Sequence, residues 1–258
     1  MMKIGFFDSG IGGLTVLGHA LKILPFADYT YYADIEHLPY GEKTKREVKQ
    51  YVQKGMDYMA KIKVDAVVIA CNTATSVAVG ELRKNYSFPI IGMEPAVKPA
   101  VAYCKERGKK VLVLATNLTL REEKFHQLIH RLDATEVVDT MALGGLVKFA
   151  EEFKFDTSDV YQYLQKKFTP LAIPDYGAVV LGCTHFPLFN KVLQQSFTKE
   201  TVFFDGSVGT TNHLADILKQ RGIAPSVDDK IKFVITNGKL PPNDVDYKKI
   251  LQTYLHSI

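Results

Sequence analysis

The chain has 258 residues, of which 47% are hydrophobic and 23% charged, and its formal net charge is +4. These proportions are typical of a globular protein, and the length suits two α/β domains of ordinary size. The small, dispersed charge does not indicate nucleic-acid binding, and no apolar run is long enough to span a membrane. Because Asp8 interrupts the apolar stretch at the amino terminus, we expect no signal peptide and a cytoplasmic protein.

Strand and helix patterns alternate along the first part of the chain, which indicates a parallel sheet with right-handed crossovers. The predicted elements are a strand over residues 3–7, a helix that ends at Leu24, a strand over 29–33, a helix over about 44–62, a strand that ends next to Cys71, a helix from about Thr75 and a strand over 89–92.

The second part of the chain repeats this order. Its predicted elements are a strand over residues 110–114, a helix to about Arg131, a strand over 136–138, helical residues around 146–168, a strand over 177–181, a strand-like segment over 201–206 and a helix to Lys219. We therefore predict an α/β fold of two pseudo-symmetric parallel-sheet domains with the active site in the cleft between them. The predicted domains are residues 1–97, completed by 206–258, and residues 98–205.

Two buried strands end in similar sequences, each with a cysteine: Ala66-Val67-Val68-Ile69-Ala70-Cys71-Asn72-Thr73 and Ala178-Val179-Val180-Leu181-Gly182-Cys183-Thr184-His185. The carboxyl ends of parallel strands are where α/β proteins bind ligands. Two thiols from equivalent positions can approach one substrate from opposite sides. This geometry suits the transfer of a proton from one face of a carbon atom to the other. The alternative is that both cysteines pack as small apolar residues, as we expect for Cys104 in its helical segment.

A glycine-rich turn, Asp8-Ser9-Gly10-Ile11-Gly12-Gly13, follows the first strand. It lacks the lysine of a phosphate loop and the spacing of a dinucleotide fingerprint. Backbone N–H groups at a helix start can hold a carboxylate, so we expect a substrate carboxylate here. Asp8 brings negative charge to the turn, which suits a role in orienting a thiol or a substrate ammonium.

Six motifs occur between residue 3 and about residue 190: Asp8-Ser9-Gly10-Ile11-Gly12-Gly13, Pro39-Tyr40-Gly41, Ala70-Cys71-Asn72-Thr73-Ala74, Glu94-Pro95, Ala115-Thr116-Asn117-Leu118-Thr119 and Gly182-Cys183-Thr184-His185-Phe186-Pro187. In composition and order they resemble the motifs of the glutamate racemase family.

The resemblance implies a reaction without pyridoxal phosphate, metal or any other cofactor. It implies that Cys71 removes the α-proton of D-glutamate and Cys183 that of L-glutamate, with Asp8 assisting Cys71 and His185 assisting Cys183. Glu151 matches a further catalytic glutamate of the family, although Lys148 stands where the family has proline. The residues that the resemblance assigns to substrate binding are Asp8, Ser9, Tyr40, Gly41, Asn72, Thr73, Thr116, Thr119, Thr184 and His185.

The resemblance further implies glutamate as the small-molecule substrate, no nucleic-acid or membrane partner, and supply of D-glutamate for peptidoglycan. Two alternatives stay open: a related racemase acting on aspartate, and a protein that binds a dicarboxylate without turnover. The sequence leaves the oligomeric state open, with a homodimer as one option.

Overall fold

The protein has two parallel sheets with helices on their faces. The computed structural model describes residues 2–223, 233–236 and 244–256. The five-stranded first sheet has the order β4-β3-β1-β2-β9, and all its paired strands are parallel. Its strands are β1 (Lys3–Asp8), β2 (Asp28–Ala33), β3 (Ala66–Ile69), β4 (Ile90–Gly92) and β9 (Phe233–Thr236).

The four-stranded second sheet has the order β6-β5-β7-β8 and is also parallel throughout. Its strands are β5 (Lys110–Ala115), β6 (Val138–Ala142), β7 (Tyr176–Gly182) and β8 (Val202–Asp205). When β1 to β4 are matched in chain order with β5 to β8, both sheets have the same spatial order. The predicted α/β fold with two pseudo-symmetric parallel sheets is therefore confirmed.

Helices connect the strands and cover both sheets. They are α1 (Leu14–Ile23), α2 (Lys45–Lys61), α3 (Asn72–Asn85), α4 (Val97–Lys105), α5 (Asn117–Arg121), α6 (Glu123–Arg131), α7 (Gly145–Glu151), α8 (Ser158–Phe168), α9 (Asn190–Gln195), α10 (Ser207–Gln220) and α11 (Asp244–Leu255). Every residue of β3 and β7 is buried, as expected for apolar strands covered on both faces. None of the described helices is long and apolar enough to cross a membrane.

The chain returns to the first sheet after β8. Strand β9 pairs with β2, while α10 and α11 pack against α1. The domain limits at 97/98 and 205/206 stay a prediction.

Several element limits differ from those predicted. The strand predicted over residues 136–138 lies at Val138–Ala142, because Val137 and Val138 donate backbone hydrogen bonds to Ala134 in a turn. The third helix of the first half begins at Asn72 instead of Thr75, since the Cys71 sulfur accepts a hydrogen bond from the N–H of Ala74 at the helix start.

Two segments predicted as single helices are each divided. Glu122 has an extended backbone conformation between α5 and α6, so the helix predicted to end at about Arg131 is interrupted there. Between α7 and α8, Phe153 has a left-handed backbone conformation with φ of 57°, which ends the first of these helices.

The glycine-rich turn lies directly against the second half of the chain. A Cβ atom at Gly12 would lie 2.5 Å from both the Nδ1 atom of His185 and the Oγ1 atom of Thr184. The hydroxyl of Thr15, in the first turn of α1, donates a hydrogen bond of 3.1 Å to the carbonyl of Thr184. The two halves can therefore meet this closely only with glycine at residue 12.

We expect Gly12→Ala to lower the free energy of unfolding by roughly 1 to 3 kcal/mol, the usual cost of overpacking, because the added methyl group overlaps Thr184 and His185. Gly209→Ala is the matched control, since a Cβ atom at Gly209 meets nothing within 4 Å and the residue lies inside α10. That control should raise the unfolding free energy by roughly 0.5 to 1 kcal/mol. Urea denaturation measures both, and equal stability of the Gly12→Ala variant and the unsubstituted protein would contradict the expectation.

Candidate active site

The predicted site residues gather at the carboxyl ends of four strands. Asp8 ends β1, Cys71 follows β3, Thr116 follows β5 and Cys183 follows β7. They surround a narrow cavity of about 20 Å³ between the two halves of the chain. The residues lining it are Ser9, Pro39, Tyr40, Gly41, Glu42, Cys71, Asn72, Thr73, Thr116, Asn117, Gly144, Val147, Cys183, Thr184 and His185. Asp8, Thr119 and Glu151 lie behind this wall and contact residues that line it.

Both cysteines that end the repeated strands line the cavity. Their exposed fractions are 5% for Cys71 and 6% for Cys183, and both are free thiols. Cys104, by contrast, is fully buried in α4 and donates to the carbonyl of Lys110 at 3.4 Å. Because Cys71 and Cys183 line the same cavity, a chemical role is favoured over simple packing.

Cys71 lies at the start of α3, where its sulfur accepts a hydrogen bond of 3.4 Å from the N–H of Ala74. The hydroxyl of Ser9 is 3.8 Å from the same sulfur. Burial raises the pKa of the Cys71 thiol, and the charge of Asp8 raises it further, whereas the hydrogen bonds from Ala74 and Ser9 lower it. On balance these effects raise the pKa of Cys71, so its thiol is protonated at neutral pH.

Asp8 is fully buried and bonded to both halves of the chain. Its Oδ1 atom accepts from the N–H of Gly10 at 3.0 Å, and its Oδ2 atom accepts from the hydroxyl of Thr184 at 3.1 Å. Burial raises the pKa of Asp8 to about 6, although the charge of His185 and these two hydrogen bonds oppose the shift. Asp8 can therefore gain or lose a proton near neutral pH.

Cys183 is linked through His185 to Glu151. The Nδ1 atom of His185 is 3.7 Å from the Cys183 sulfur and 3.5 Å from the Thr184 hydroxyl, and its Nε2 atom is 2.7 Å from Glu151 Oε1. Burial disfavours a charged imidazole, but the hydrogen bonds and charges of Cys183 and Glu151 outweigh it and raise the pKa of His185. With both ring nitrogens facing acceptors, the site suits a doubly protonated ring.

The surroundings of the two thiols therefore differ in charge. A buried carboxyl group of raised pKa lies near Cys71, and an imidazole of raised pKa contacts Cys183. Since the cavity is closed from bulk water on most sides, these charges act with little screening. The two sides of the cavity are alike in backbone but have different ionisable neighbours.

The glycine-rich turn binds carboxylates of the protein itself, which differs from the expected substrate carboxylate. The N–H of Gly10 donates to Asp8, and the N–H of Ile11 donates to Glu151 at 2.9 Å. A Cβ atom at Gly10 would lie 1.9 Å from the same oxygen of Glu151. The turn thus fixes Glu151 against His185, and glycine is required for this close approach.

Three threonine hydroxyls form a buried cluster that joins the halves. Thr73 is 2.9 Å from Thr116 and 3.1 Å from Thr119, and the last two are 3.0 Å apart. Nearby, the Asn72 amide donates to the carbonyl of Met93 at 3.2 Å, and its Oδ1 atom is buried without a hydrogen-bond partner among the described residues. This wall offers both hydroxyl donors and an available acceptor to a polar ligand.

Tyr40 and Gly41 line the cavity beside this cluster. The Tyr40 hydroxyl donates to Asp34 Oδ2 at 2.5 Å, and burial together with the charge of Asp34 raises the pKa of Tyr40. A Cβ atom at Gly41 would lie 2.6 Å from Cβ of Thr116. Asp34 was not among the predicted site residues, although its place just after β2 is a carboxyl-end position like those of the cysteines.

Other cavity residues were also missed by the sequence reasoning, namely Pro39, Glu42, Asn117, Gly144 and Val147. Most of them adjoin a predicted residue in the chain, which is the signal that could have found them. In the part of the chain that the structure describes, no group of three or more His, Cys, Asp or Glu side chains is arranged to hold a metal ion. The absence of a cofactor stays a prediction.

Comparison with known proteins assigns the chain to a family. Residues 25–208 match the Asp/Glu/Hydantoin racemase family. Glutamate racemase 2 of Bacillus subtilis is 47% identical over 253 residues, which cover 97% of this chain and 96% of that protein. The chain belongs to the Asp/Glu/Hydantoin racemase family. It is accordingly an enzyme of the racemase class.

Two further relatives support this assignment. The glutamate racemase of Halothermothrix orenii is 50% identical over 221 residues, covering 86% of this chain and 87% of the relative. The solved structure of Escherichia coli glutamate racemase, in complex with L-glutamate and the activator UDP-MurNAc-ala, has a TM-score of 0.82 at 30% identity. That similarity covers 98% of this chain and 95% of the other. The family's fold therefore spans nearly the whole chain.

The raised pKa of Asp8 makes stability depend on pH. The folded state binds the Asp8 proton more tightly than the unfolded state does. The protonated carboxyl therefore contributes to the free energy of unfolding below about pH 4, and this contribution is lost as the pH rises through about 6. Between about pH 4 and pH 7, the unfolding free energy of the unsubstituted protein should fall by on the order of 2 kcal/mol more than that of Asp8→Asn. Urea denaturation across this range measures the difference, and parallel pH curves would refute the assignment.

Proposed function

We propose that this protein is a glutamate racemase that interconverts L- and D-glutamate by proton transfer between two cysteines, without a cofactor. The observation that supports this best is that Cys71 and Cys183, from equivalent positions in two matching sheets, line one cavity. The names of the relatives and the L-glutamate complex of the Escherichia coli enzyme support glutamate as the substrate.

The reaction needs one thiolate and one thiol. The thiolate takes the α-proton from one face of the substrate, which leaves the electron pair on the α-carbon and its carboxylate. The opposite thiol then gives its proton to the other face, so the configuration inverts and the two sulfurs exchange protonation states. By family resemblance, Cys183 acts first on L-glutamate and Cys71 acts first on D-glutamate.

The neighbours of the sulfurs suit this exchange of protons. His185 contacts the Cys183 sulfur and is oriented by Glu151, so it can hold or return a proton on that side. Asp8, with a pKa near 6, can do the same near Cys71. The positive α-ammonium of a bound amino acid favours ionisation of the Cys71 thiol, whose pKa burial raises.

The cavity wall stabilises the charge that develops during proton removal. Without a cofactor, negative charge builds up on the α-carboxylate and must be met by fixed donors in a site closed to water. We propose that these donors belong to Ser9, Gly41, Asn72, Thr73, Thr116 and Thr119. Their hydroxyl and amide groups are uncharged, and the positive charge in the cavity lining is that of the His185 ring. The hydroxyls of Tyr40 and Thr184 already donate to Asp34 and Asp8, so we propose that they accept from the substrate ammonium.

We further propose that the enzyme is cytoplasmic and supplies D-glutamate for peptidoglycan, in keeping with the family resemblance. A homodimer stays open as its oligomeric state. The alternatives are an aspartate racemase and a non-catalytic dicarboxylate-binding protein.

A direct assay separates these functions. We expect the optical rotation of L-glutamate solutions to decay to zero with the enzyme, and L-aspartate to react at least about 100-fold more slowly, since its shorter side chain cannot hold both carboxylates in the same positions. Activity should survive dialysis against a chelator. Faster turnover of aspartate would favour the first alternative, binding without turnover would favour the second, and loss of activity restored by added metal would refute the cofactor-free mechanism.

Isotope exchange tests the division of labour between the cysteines. In Cys71→Ala, the remaining Cys183 can still remove and return the α-proton of L-glutamate on one face, while racemisation should fall by a factor on the order of 10³ or more in both directions. In deuterium oxide this variant should label L-glutamate faster than D-glutamate, and Cys183→Ala should show the reverse preference. Cys104→Ala is the control and should behave as the unsubstituted enzyme. Equal labelling of both enantiomers by both active-site variants would rule out one cysteine per face.

A further inference from the structure

Two ion pairs connect one wall of the cavity to the opposite half of the chain. We call residues 40–45 the wall segment. The Nζ atom of Lys45 is 3.0 Å from Oε1 of Glu122, and Oε1 of Glu42 is 3.5 Å from the Nζ atom of Lys148. The first half supplies the cation of one pair and the anion of the other, so each half contributes one positive and one negative charge.

The wall segment also forms part of the cavity. Tyr40, Gly41 and Glu42 line it, and Gly41 contacts Thr116 of the second half more closely than any larger residue would allow. At its far end, Thr44 caps helix α2 together with Glu47, which fixes where Lys45 begins the helix. A shift of this segment away from the second half would therefore open the cavity.

The partners in the second half are attached to the site as well. Glu122 lies directly after α5, the helix that Thr116 caps, and Lys148 lies one turn before Glu151 on α7. The two pairs thus hold the wall segment to the elements that carry Thr116 and the carboxylate bound to His185.

The pairs differ in how strongly they can hold. Lys45 is 59% exposed, but the Glu122 side chain is only 8% exposed, so its carboxylate has lost most of its water and depends on the cation of Lys45. Glu42 and Lys148 are 51% and 61% exposed, so solvent and salt weaken their attraction. Lys45 is therefore the more important of the two cations.

We propose that Lys45, paired with Glu122, is a positioning residue that holds the wall segment against the second half and so controls how often the cavity opens to admit an amino acid. Glu42 and Lys148 support the same contact more weakly. The inference concerns access to the cavity, so it holds whichever amino acid is racemised.

Alkylation of the cysteines measures opening without reference to activity. Cys71 and Cys183 are buried in the cavity wall, so iodoacetamide reaches them only when the cavity opens, whereas Cys104 lies on α4 in a separate apolar core. We expect Lys45→Glu to raise the labelling rates of both cavity cysteines about five-fold or more, measured by peptide mass spectrometry, while the rate at Cys104 is unchanged.

A matched control lies one turn further along α2. Lys49 pairs with Glu81 at 2.7 Å entirely within the first half, so Lys49→Glu makes the same change of charge without affecting the contact between halves. Its cavity cysteines should be labelled at the rate of the unsubstituted protein. The reciprocal double variant, Lys45→Glu with Glu122→Lys, should restore slow labelling.

Kinetics provide the second measurement. Lys45→Glu should raise KM for the amino acid by a larger factor than it lowers kcat, because a cavity that opens more often loses bound substrate more readily while the thiols keep their positions. If labelling of Cys104 shows that Lys45→Glu is unfolded, Lys45→Met is used in its place. Labelling no faster than in Lys49→Glu, or a double variant that stays as open as the single one, would overturn the proposal.

Discussion

The contact between the glycine-rich turn and residues 183–185 brings the two halves of the site together. It requires that Gly12 carry no side chain, and it is reinforced by the hydrogen bond between Asp8 and Thr184. The same turn holds Glu151 through the N–H of Ile11, and Glu151 in turn holds His185. One close backbone approach therefore fixes the groups near both thiols. The turn acts here as an internal binding site for two carboxylates of the protein.

Burial then determines the chemistry that these groups can perform. Charged groups in a cavity with little water interact strongly, so each ionisable side chain shifts the proton affinity of its neighbours. Near Cys71 the neighbouring charge is that of Asp8, and beside Cys183 it is that of His185. A pseudo-symmetric backbone thus carries an asymmetric distribution of protons. Such an arrangement suits a site that must bind two mirror-image substrates with one set of neutral donors.

The repeated strands were predictable because a fully buried parallel strand must be apolar throughout, and the residues after it lie at the ligand-binding edge. This rule located Cys71 and Cys183 and could also have located Asp34, which follows β2. The ends of helices and strands that local hydrogen bonds determine were less predictable. Because of the turn at Ala134, β6 begins later in the chain than expected, and the extended backbone of Glu122 divides one expected helix. Both depend on single backbone conformations that hydrophobic periodicity does not reveal.

The sequence by itself determined the alternation of strands and helices, the doubled cysteine motif and the resemblance that assigned roles to Asp8, His185 and Glu151. Periodicity and local motifs encode these features because they act over a few residues. Only the tertiary structure decided that the glycine-rich turn binds Glu151, that three threonine hydroxyls meet, and that Lys45 pairs with Glu122. These contacts join residues far apart in the chain, and the packing of the two halves against each other determines which of many possible partners come within hydrogen-bond distance.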